Sequence, residues 1–582
     1  MAGGSPISDV VAVTISITDT GITRAGFGTL MGLAPYMETP ITRVELFDQD
    51  TAPETSGYAS YPDPVVKAHA AHFKPDPKPE LMAVGRIKVG WIVAEIDGDD
   101  FVAESEYKIK LHWLVEGDGS AELSEEFSYT GAYGEGADDV ATQIAVEINA
   151  GTAPFEAAAV DEMVLIKSTV IGSVLPMTAW GESSGVWIVH KYGGMVDVDT
   201  DGDVQAAHTY NLVINETTLS FATILGTRAE LYQGWFDAWD AMVTKPPEFF
   251  VIYLPGIDPS FLIINEACSC RVDLSCADTE VSRTFSYTYG ETMVAAFDAC
   301  RLASKAWYAF DLVDRTRVFQ AACADKAESE ITINGYASSD LDIPNTTLAL
   351  DPGTIAGYCA GKNFTRTFGV YHSRATGYFD PTDVTNTSNE EWVDFGWFGT
   401  RLTVDLDEET ATWKFAGMAG FTTDNLSATQ KDNLFGSPTL GVSEKCCNFC
   451  DNIADSPIMR EGCVHSGEWI DIMIGIDWLV ARMGEDIFST LKAAKKIPFT
   501  DADDDGIALI INQVRARLAL AMGTLFLAFD SNLGKFGYLL TFKKAAEVPV
   551  VERGHRLYSG IKFKATFAGA VHLVGIAGDV GA

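Results

Sequence analysis

Four cysteines and a histidine fall within EKCCNFCDNIADSPIMREGCVH, residues 444–465. Cys447, Cys450, Cys463 and His465 read as C-x2-C-x12-C-x-H, in which the first pair has the spacing of a zinc grip and the C-x-H end does not. The neighbouring Cys446, and Cys268, Cys270 and Cys276 further back, fit no single zinc site. The same residues read as well as disulfide cysteines or as free thiols. A thioredoxin-like role for Cys447 and Cys450 needs a helix N-terminus after a strand, and this stretch is rich in turn residues. Two acidic runs, Asp197-x-Asp199-x-Asp201-Gly202 and Asp501-x-Asp503-x-Asp505-Gly506, imitate the start of a calcium loop. Position 12, where such a loop needs a bidentate glutamate, holds His208 in one and Asn512 in the other.

Other chemistry has little support. H-E-x-x-H and the phosphate-cradling glycine loop are absent from the sequence. His69 and His72 lie three apart on an expected helix with no third ligand, and Asp471 and Asp477, six apart, fall on different helix faces. The reading assigns no catalytic residue, no metal ligand and no cofactor, and expects a protein that is not an enzyme.

The chain has 582 residues, 41 Lys and Arg against 81 Asp and Glu, and a formal net charge of −40. Such an acidic surface repels phosphate backbones and anionic lipid, so nucleic acid and direct membrane insertion are not expected. The N-terminus lacks the basic and apolar regions of a secretory signal. The clean apolar run near Leu518–Phe529 is shorter than the about 20 residues of a membrane span. A protein made in a reducing cytosol is expected, which makes ten cysteines unusual.

The elements that must position these residues change in texture along the chain. Val11, Val13, Ile15 and Ile17 alternate with polar residues as a strand with no near hairpin partner, which suits strand addition to another chain. A strand at Leu30–Leu33, a helix over 62–73 and a strand over 81–87 begin an α/β rhythm. It resumes with helices over 228–243, 292–304 and 315–327 alternating with strands over 249–254, 307–312 and 330–336. Between them, residues 91–225 read as β-rich, with a strand over 107–114 and one helix over 138–148. After 466, apolar steps from Ile472 to Leu491 give a long amphipathic helix, followed by a second over 507–529 and strands over 536–542, 561–567 and 571–576. The expected fold is α+β and multidomain: an N-terminal strand arm (1–22), a discontinuous α/β core domain (23–90 and 226–435), an inserted β-rich domain (91–225), a C-terminal α+β domain (436–567) and a C-terminal strand arm (568–582). Lys543, Lys544, Arg553, Arg556, Lys562 and Lys564 make the C-terminal segment basic on an acidic chain, which suits an acidic protein partner or a solvated strand face.

SDVVAVTISIT and TRAGFGTLMGLA near the start, YPDPVVKAHAAHFKPDPKPELMAVGR from Tyr61, SGEWIDIMIGIDWLVARM and KKIPFTDADDDGI from Ser466, and AGAVHLVGIAG at the end occur in that order. Together they resemble the contractile tail sheath proteins of long-tailed (myovirus-type) bacteriophages over about two-thirds of the chain. The resemblance implies a virion structural protein, assembled in the host cytoplasm as a six-fold helical sheath of identical subunits. Its implied partners are the tail tube, baseplate and tail terminator proteins. It implies a C-terminal domain that accepts strands from neighbouring subunits, donated by Val11, Val13, Ile15 and Ile17 of one arm and Val571, Leu573 and Ile576 of the other. Contraction then drives the tube through the host envelope, with the basic residues above facing the tube. A tailocin or bacterial contractile injection system shares this architecture. A metal-stabilised secreted adhesin or enzyme is the alternative in another class.

Related sheaths carry a Lys-x-x-Asn-x-Tyr-like stretch where this chain has Lys445, Asn448 and Phe449, and the cysteines among them are no family hallmark. A particle released into oxidising surroundings accounts for them. The expectation is that several of Cys268, Cys270, Cys276, Cys300, Cys323, Cys359, Cys446, Cys447, Cys450 and Cys463 form disulfides that hold the extended state.

Overall fold

A computed structural model describes residues 27–35, 43–51, 63–87, 91–96, 105–114, 122–152, 155–160, 162–168, 177–181, 187–190, 195–200, 204–214, 217–242, 245, 249–254, 259–265, 272–276, 284–288, 291–351, 353–375, 390–436, 444–501 and 506–570. The N-terminal arm and residues 571–582 of the C-terminal arm, with Val11, Val13, Ile15, Ile17, Val571, Leu573 and Ile576, lie outside these residues.

Eight strands form the central sheet: β1 Leu30–Pro35, β2 Val44–Phe47, β3 Met82–Ile87, β4 Ala309–Leu312, β5 Asn334–Ser338, β6 Thr367–Tyr371, β7 Asn448–Ile453 and β8 Ser456–Met459. Their order is β2-β3-β1-β4-β5-β6-β7-β8. The six inner strands run parallel, while β2 and β8 are antiparallel at the two edges. Parallel strands need crossovers, and the helices Asp63–His72, Met293–Ala303, Arg317–Ala327, Ile355–Gly361 and Val393–Arg401 lie between them in the chain. Side chains alternate between two cores. Leu30 and Ala34 join Val65, Phe395 and Phe398 on one face, and Met31 and Leu33 join Phe297 and Phe319 on the other. At Gly399 the Val393–Arg401 helix passes so close to the Asp63–His72 helix that a Cβ would sit 2.0 Å from the His72 carbonyl oxygen.

Two boundaries differ from the sequence reading. Helix Arg228–Asp240 and strand Phe249–Leu254 do not join the α/β sheet. The strand pairs antiparallel with Ser260–Asn265, which pairs with Met195–Asp199. The insertion between β3 and helix Met293–Ala303 is therefore longer than 91–225 and has two lobes. The first carries a four-stranded sheet, a three-stranded sheet and helix Ala137–Ala150; the second carries sheets of the same sizes and helix Arg228–Asp240. Val93 and Leu165 of one lobe pack with Ile252, Leu262 and Ile264 of the other. A helix followed by an apolar strand looks locally like an α/β unit, and only the long-range pairing separates the two.

The boundary expected at 436 is also displaced, because β7 and β8 are strands of the central sheet. The long helix Ile470–Ala493 buries Ile470, Ile474 and Trp478 in the core that holds Leu30 and Phe368, so no gap separates it from the α/β layer. The second helix, Ile507–Gly523, ends before 529, where Leu525 takes a left-handed backbone (φ 62°). Beyond it come two very short sheets, Leu527–Ala528 with Thr566–Phe567 and Leu539–Thr541 with Lys562–Lys564.

Candidate assembly surface

The cysteine-rich stretch is core. Cys300, Cys323, Cys359, Cys446, Cys447, Cys450 and Cys463 are all free and buried. This corrects the disulfide expectation for these seven. Cys268 and Cys270 lie outside the described residues, and Cys276 ends a described strand. Burial pushes the Cys300 thiol up to about 11 and those of Cys447 and Cys450 up to about 12, and raises Cys323, Cys359 and Cys463 well above the ordinary thiol range. A neutral buried thiol is a poor partner in exchange. A thiol reagent added to the native protein should label at most three of the ten cysteines, and denaturant should release the rest; fast labelling of more than three would show that the core thiols are reachable.

The zinc reading fails on geometry. Cys447 and Phe449 pack into the core under Tyr336, whereas Cys450 packs into the one on the opposite face, with Phe368. A C-x2-C pair in extended chain cannot turn both sulfurs to one ion, since alternate residues face opposite ways. His465 is spent as well. Burial holds its pKa at about 4, so its Nδ1–H donates to the Lys445 carbonyl at 2.7 Å and its Nε2 accepts from the Tyr336 hydroxyl at 2.9 Å. Of the two acidic runs, Asp201, Gly202, Asp503 and Asp505 lie outside the described residues. Asp197 and Asp199 sit on an inner strand paired on both sides, and Asp501 accepts the Ala545 N–H at 2.6 Å. His72 is buried beside the Phe395 carbonyl, and His69 meets the Asp48 carbonyl. Among the described residues no group of three or more His, Cys, Asp or Glu side chains is arranged to hold a metal. No described helix is long and apolar enough to cross a membrane.

The most perturbed acids are dispersed through the interior. Burial raises Asp471 to about 6, in a small cleft with Phe27, Arg401, Thr410 and Trp413, and Thr410 already donates to the Thr524 carbonyl at 2.9 Å. His372 lies between Asp424 (2.9 Å) and Glu391 (3.3 Å). Burial opposes its charge, and the two carboxylates outweigh that and raise its pKa.

The basic residues, by contrast, do gather on the surface. Lys544, Arg553, Arg556, Lys562 and Lys564 are exposed, and Lys543 is half-buried 3.5 Å from Glu552. Lys562 and Lys564 flank the inward Phe563 on their strand, so both project from one face. The Val550–Gly554 helix carries Arg553 and leaves Val550 and Val551 75% and 69% exposed, with Leu557 bare nearby. Exposed apolar side chains in a segment where six cations stand against Glu547 and Glu552, on a −40 chain, suit contact with an acidic protein. The sequence signalled the segment's charge; the exposure of the two valines was not legible there. Neither a family model nor a curated protein matches the chain.

Proposed function

We propose that this chain is the subunit of a contractile tail sheath, polymerising around an acidic tail tube and moving by rearranged subunit contacts instead of performing a reaction. The observation that carries the reading is the pair of two-stranded sheets near the end of the described chain. Two strands are too few to be stable alone, and among the described residues neither sheet has a further partner strand. Their free edges offer unpaired N–H and C=O groups, which an extended segment from another subunit would satisfy whatever its side chains. The alternating apolar sequence of residues 11–17 and the apolar residues 571–576 supply candidate donors. The basic apolar face around Arg553 and Lys562 supports contact with an acidic tube. Bodies joined by backbone pairing can rotate while the links persist, which suits a bistable assembly.

Electron microscopy of the purified full chain should reveal hollow tubes or stacked rings, and deleting residues 1–22 or 568–582 should leave discrete subunits. Discrete subunits at all concentrations of the full chain, or undiminished polymers from both deletions, would overturn the reading.

A further inference from the structure

Three acids within residues 390–394 fasten the start of helix Val393–Arg401, each to a cation from a different part of the α/β layer. Glu390 lies 3.5 Å from Lys67 of helix Asp63–His72, Asp394 lies 2.9 Å from Arg315 beyond β4, and Glu391 lies 3.3 Å from His372, which follows β6. Of these three kinds of cation, imidazole is the one whose charge changes near neutral pH.

His372 is fully buried, with Nδ1 2.9 Å from Asp424 Oδ2 and Nε2 3.3 Å from Glu391 Oε2. A neutral imidazole donates from one nitrogen and accepts at the other, whereas a carboxylate only accepts. Both contacts are therefore favourable only for the doubly protonated ring. The carboxylates also hold backbone: Asp424 Oδ1 accepts the Ser373 N–H at 2.9 Å, and Glu391 Oε2 accepts the Thr422 N–H at 2.7 Å. The Glu391 N–H donates to the Arg374 carbonyl at 2.8 Å, and the Asp424 N–H to the Cys450 carbonyl of β7 at 2.9 Å. The ring thus joins the end of β6, the helix start and the 421–424 loop. The other titratable groups around it do not replace its charge. Arg374, 3.4 Å from Glu391 Oε1, is 47% exposed. Burial drives the Tyr371 phenol and the Cys450 thiol both up to about 12, so neither ionises first.

The two contacts are unequal. Asp424 is the closer and is 2% exposed, whereas Glu391 is 16% exposed. A ring with one proton left keeps its N–H on Asp424 and turns a bare lone pair to Glu391, whose carboxylate has water and Arg374 within reach.

We infer that the His372 proton is a latch: its loss as pH rises parts Glu391 from the ring and frees the helix start and Thr422 from the end of β6, while Asp424 keeps its loop on β6 and β7. Burial opposes the charge on His372, and the two carboxylates outweigh it. The latch is therefore complete below the ordinary imidazole value of about 6.5 and is lost as pH rises through the higher folded one. Burial also opposes the Glu391 charge, and His372 and the Thr422 N–H hold that carboxyl at about 2, so acid undoes the contact only near that value. All these contacts lie within one subunit, so the latch does not depend on polymerisation.

The test is amide exchange of the full chain, read residue by residue from about pH 6 to about pH 9 and corrected for intrinsic base catalysis. The opening constants of the Glu391 and Thr422 amides should rise about tenfold or more over that range, since each unit of pKa difference is tenfold. Those of Ser373, Asp424, β4 and β5 should hold steady. His372→Gln should raise the Glu391 and Thr422 constants at every pH and abolish their pH dependence. Asp424→Asn, which removes one carboxylate that holds the proton, should move the rise to lower pH. Flat Glu391 and Thr422 constants in the parent chain overturn the latch, whatever the variants do. A rise shared equally by β4 and β5 is global unfolding in alkali and overturns it too. A parent-like rise in a folded His372→Gln chain places the titrating group elsewhere and does the same.

Discussion

Replacing Lys445 by methionine should lower the stability of the folded chain by about 3–5 kcal/mol, the usual cost of stranding one half of a buried ion pair. Lys445 and Asp351 are 0% and 3% exposed and 2.8 Å apart. The ammonium also donates to the Ile343 and Thr346 carbonyls at 2.8 and 3.0 Å, so its donors are satisfied by a segment about a hundred residues away. Burial alone would raise the Asp351 carboxyl; Lys445 and the Thr354 and Gly353 groups outweigh it and hold the pKa low. Removing the lysine leaves that carboxylate buried with hydrogen bonds but no countercharge. Asp351→Asn in the same chain should recover part of the loss, because the stranded charge goes with it. The check is the denaturant midpoint of the two single variants and the double. A Lys445→Met midpoint equal to the parent's would mean that water reaches the pair.

Lys445 also shows how far the sequence could be read. The stretch around it drew attention through its cysteines, yet the residues that organise it are Lys445 and Asn448. Asn448 donates to the Gly369 and Cys463 carbonyls at 3.0 and 2.9 Å and accepts the Cys463 N–H at 3.2 Å. A buried polar residue looks the same in sequence as an exposed one, and its partners lie many residues away. Helices and strands with strong local periodicity were legible, as Asp63–His72, Met82–Ile87, Glu106–Leu114 and Ala137–Ala150 illustrate. Domain limits were less so. Phe249–Leu254 is as apolar as an α/β strand, and its antiparallel partner comes from within the insertion. The seven buried thiols were misread because composition reports a compartment, whereas burial decides whether a thiol can react. The basic face was legible as charge, and its apolar centre at Val550 and Val551 was not.

Arg366→Met should be about as costly as the lysine substitution, about 3–5 kcal/mol, and its effect should concentrate in one helix. Arg366 precedes β6 and Tyr308 precedes β4, and both reach Asp477 in the middle of helix Ile470–Ala493. The guanidinium grips the carboxylate with two bonds, at 2.5 and 2.9 Å, and the Tyr308 hydroxyl adds a third at 2.6 Å. Such two-pronged pairing fixes direction as well as distance, so it sets how the helix lies across the starts of the parallel strands. Asp477 is 4% exposed, and without the arginine it keeps only the phenol. Burial first, then the neighbouring carboxylate, already drives Tyr308 far above the usual phenol range, so it stays a donor and supplies no compensating charge. The same helix packs Trp478 against Phe526, from which the chain passes into the short sheets and the basic face. Loosening the pin should therefore speed amide exchange along residues 470–493 and 507–567 while leaving β1, β4 and β5 protected. Uniform acceleration over the whole chain would contradict the idea that this ion pair couples the C-terminal unit to the central sheet. If the chain works as a sheath, the variant should also assemble poorly, because the surfaces that meet the tube and accept neighbouring strands would no longer be held in a fixed orientation to the rest of the subunit.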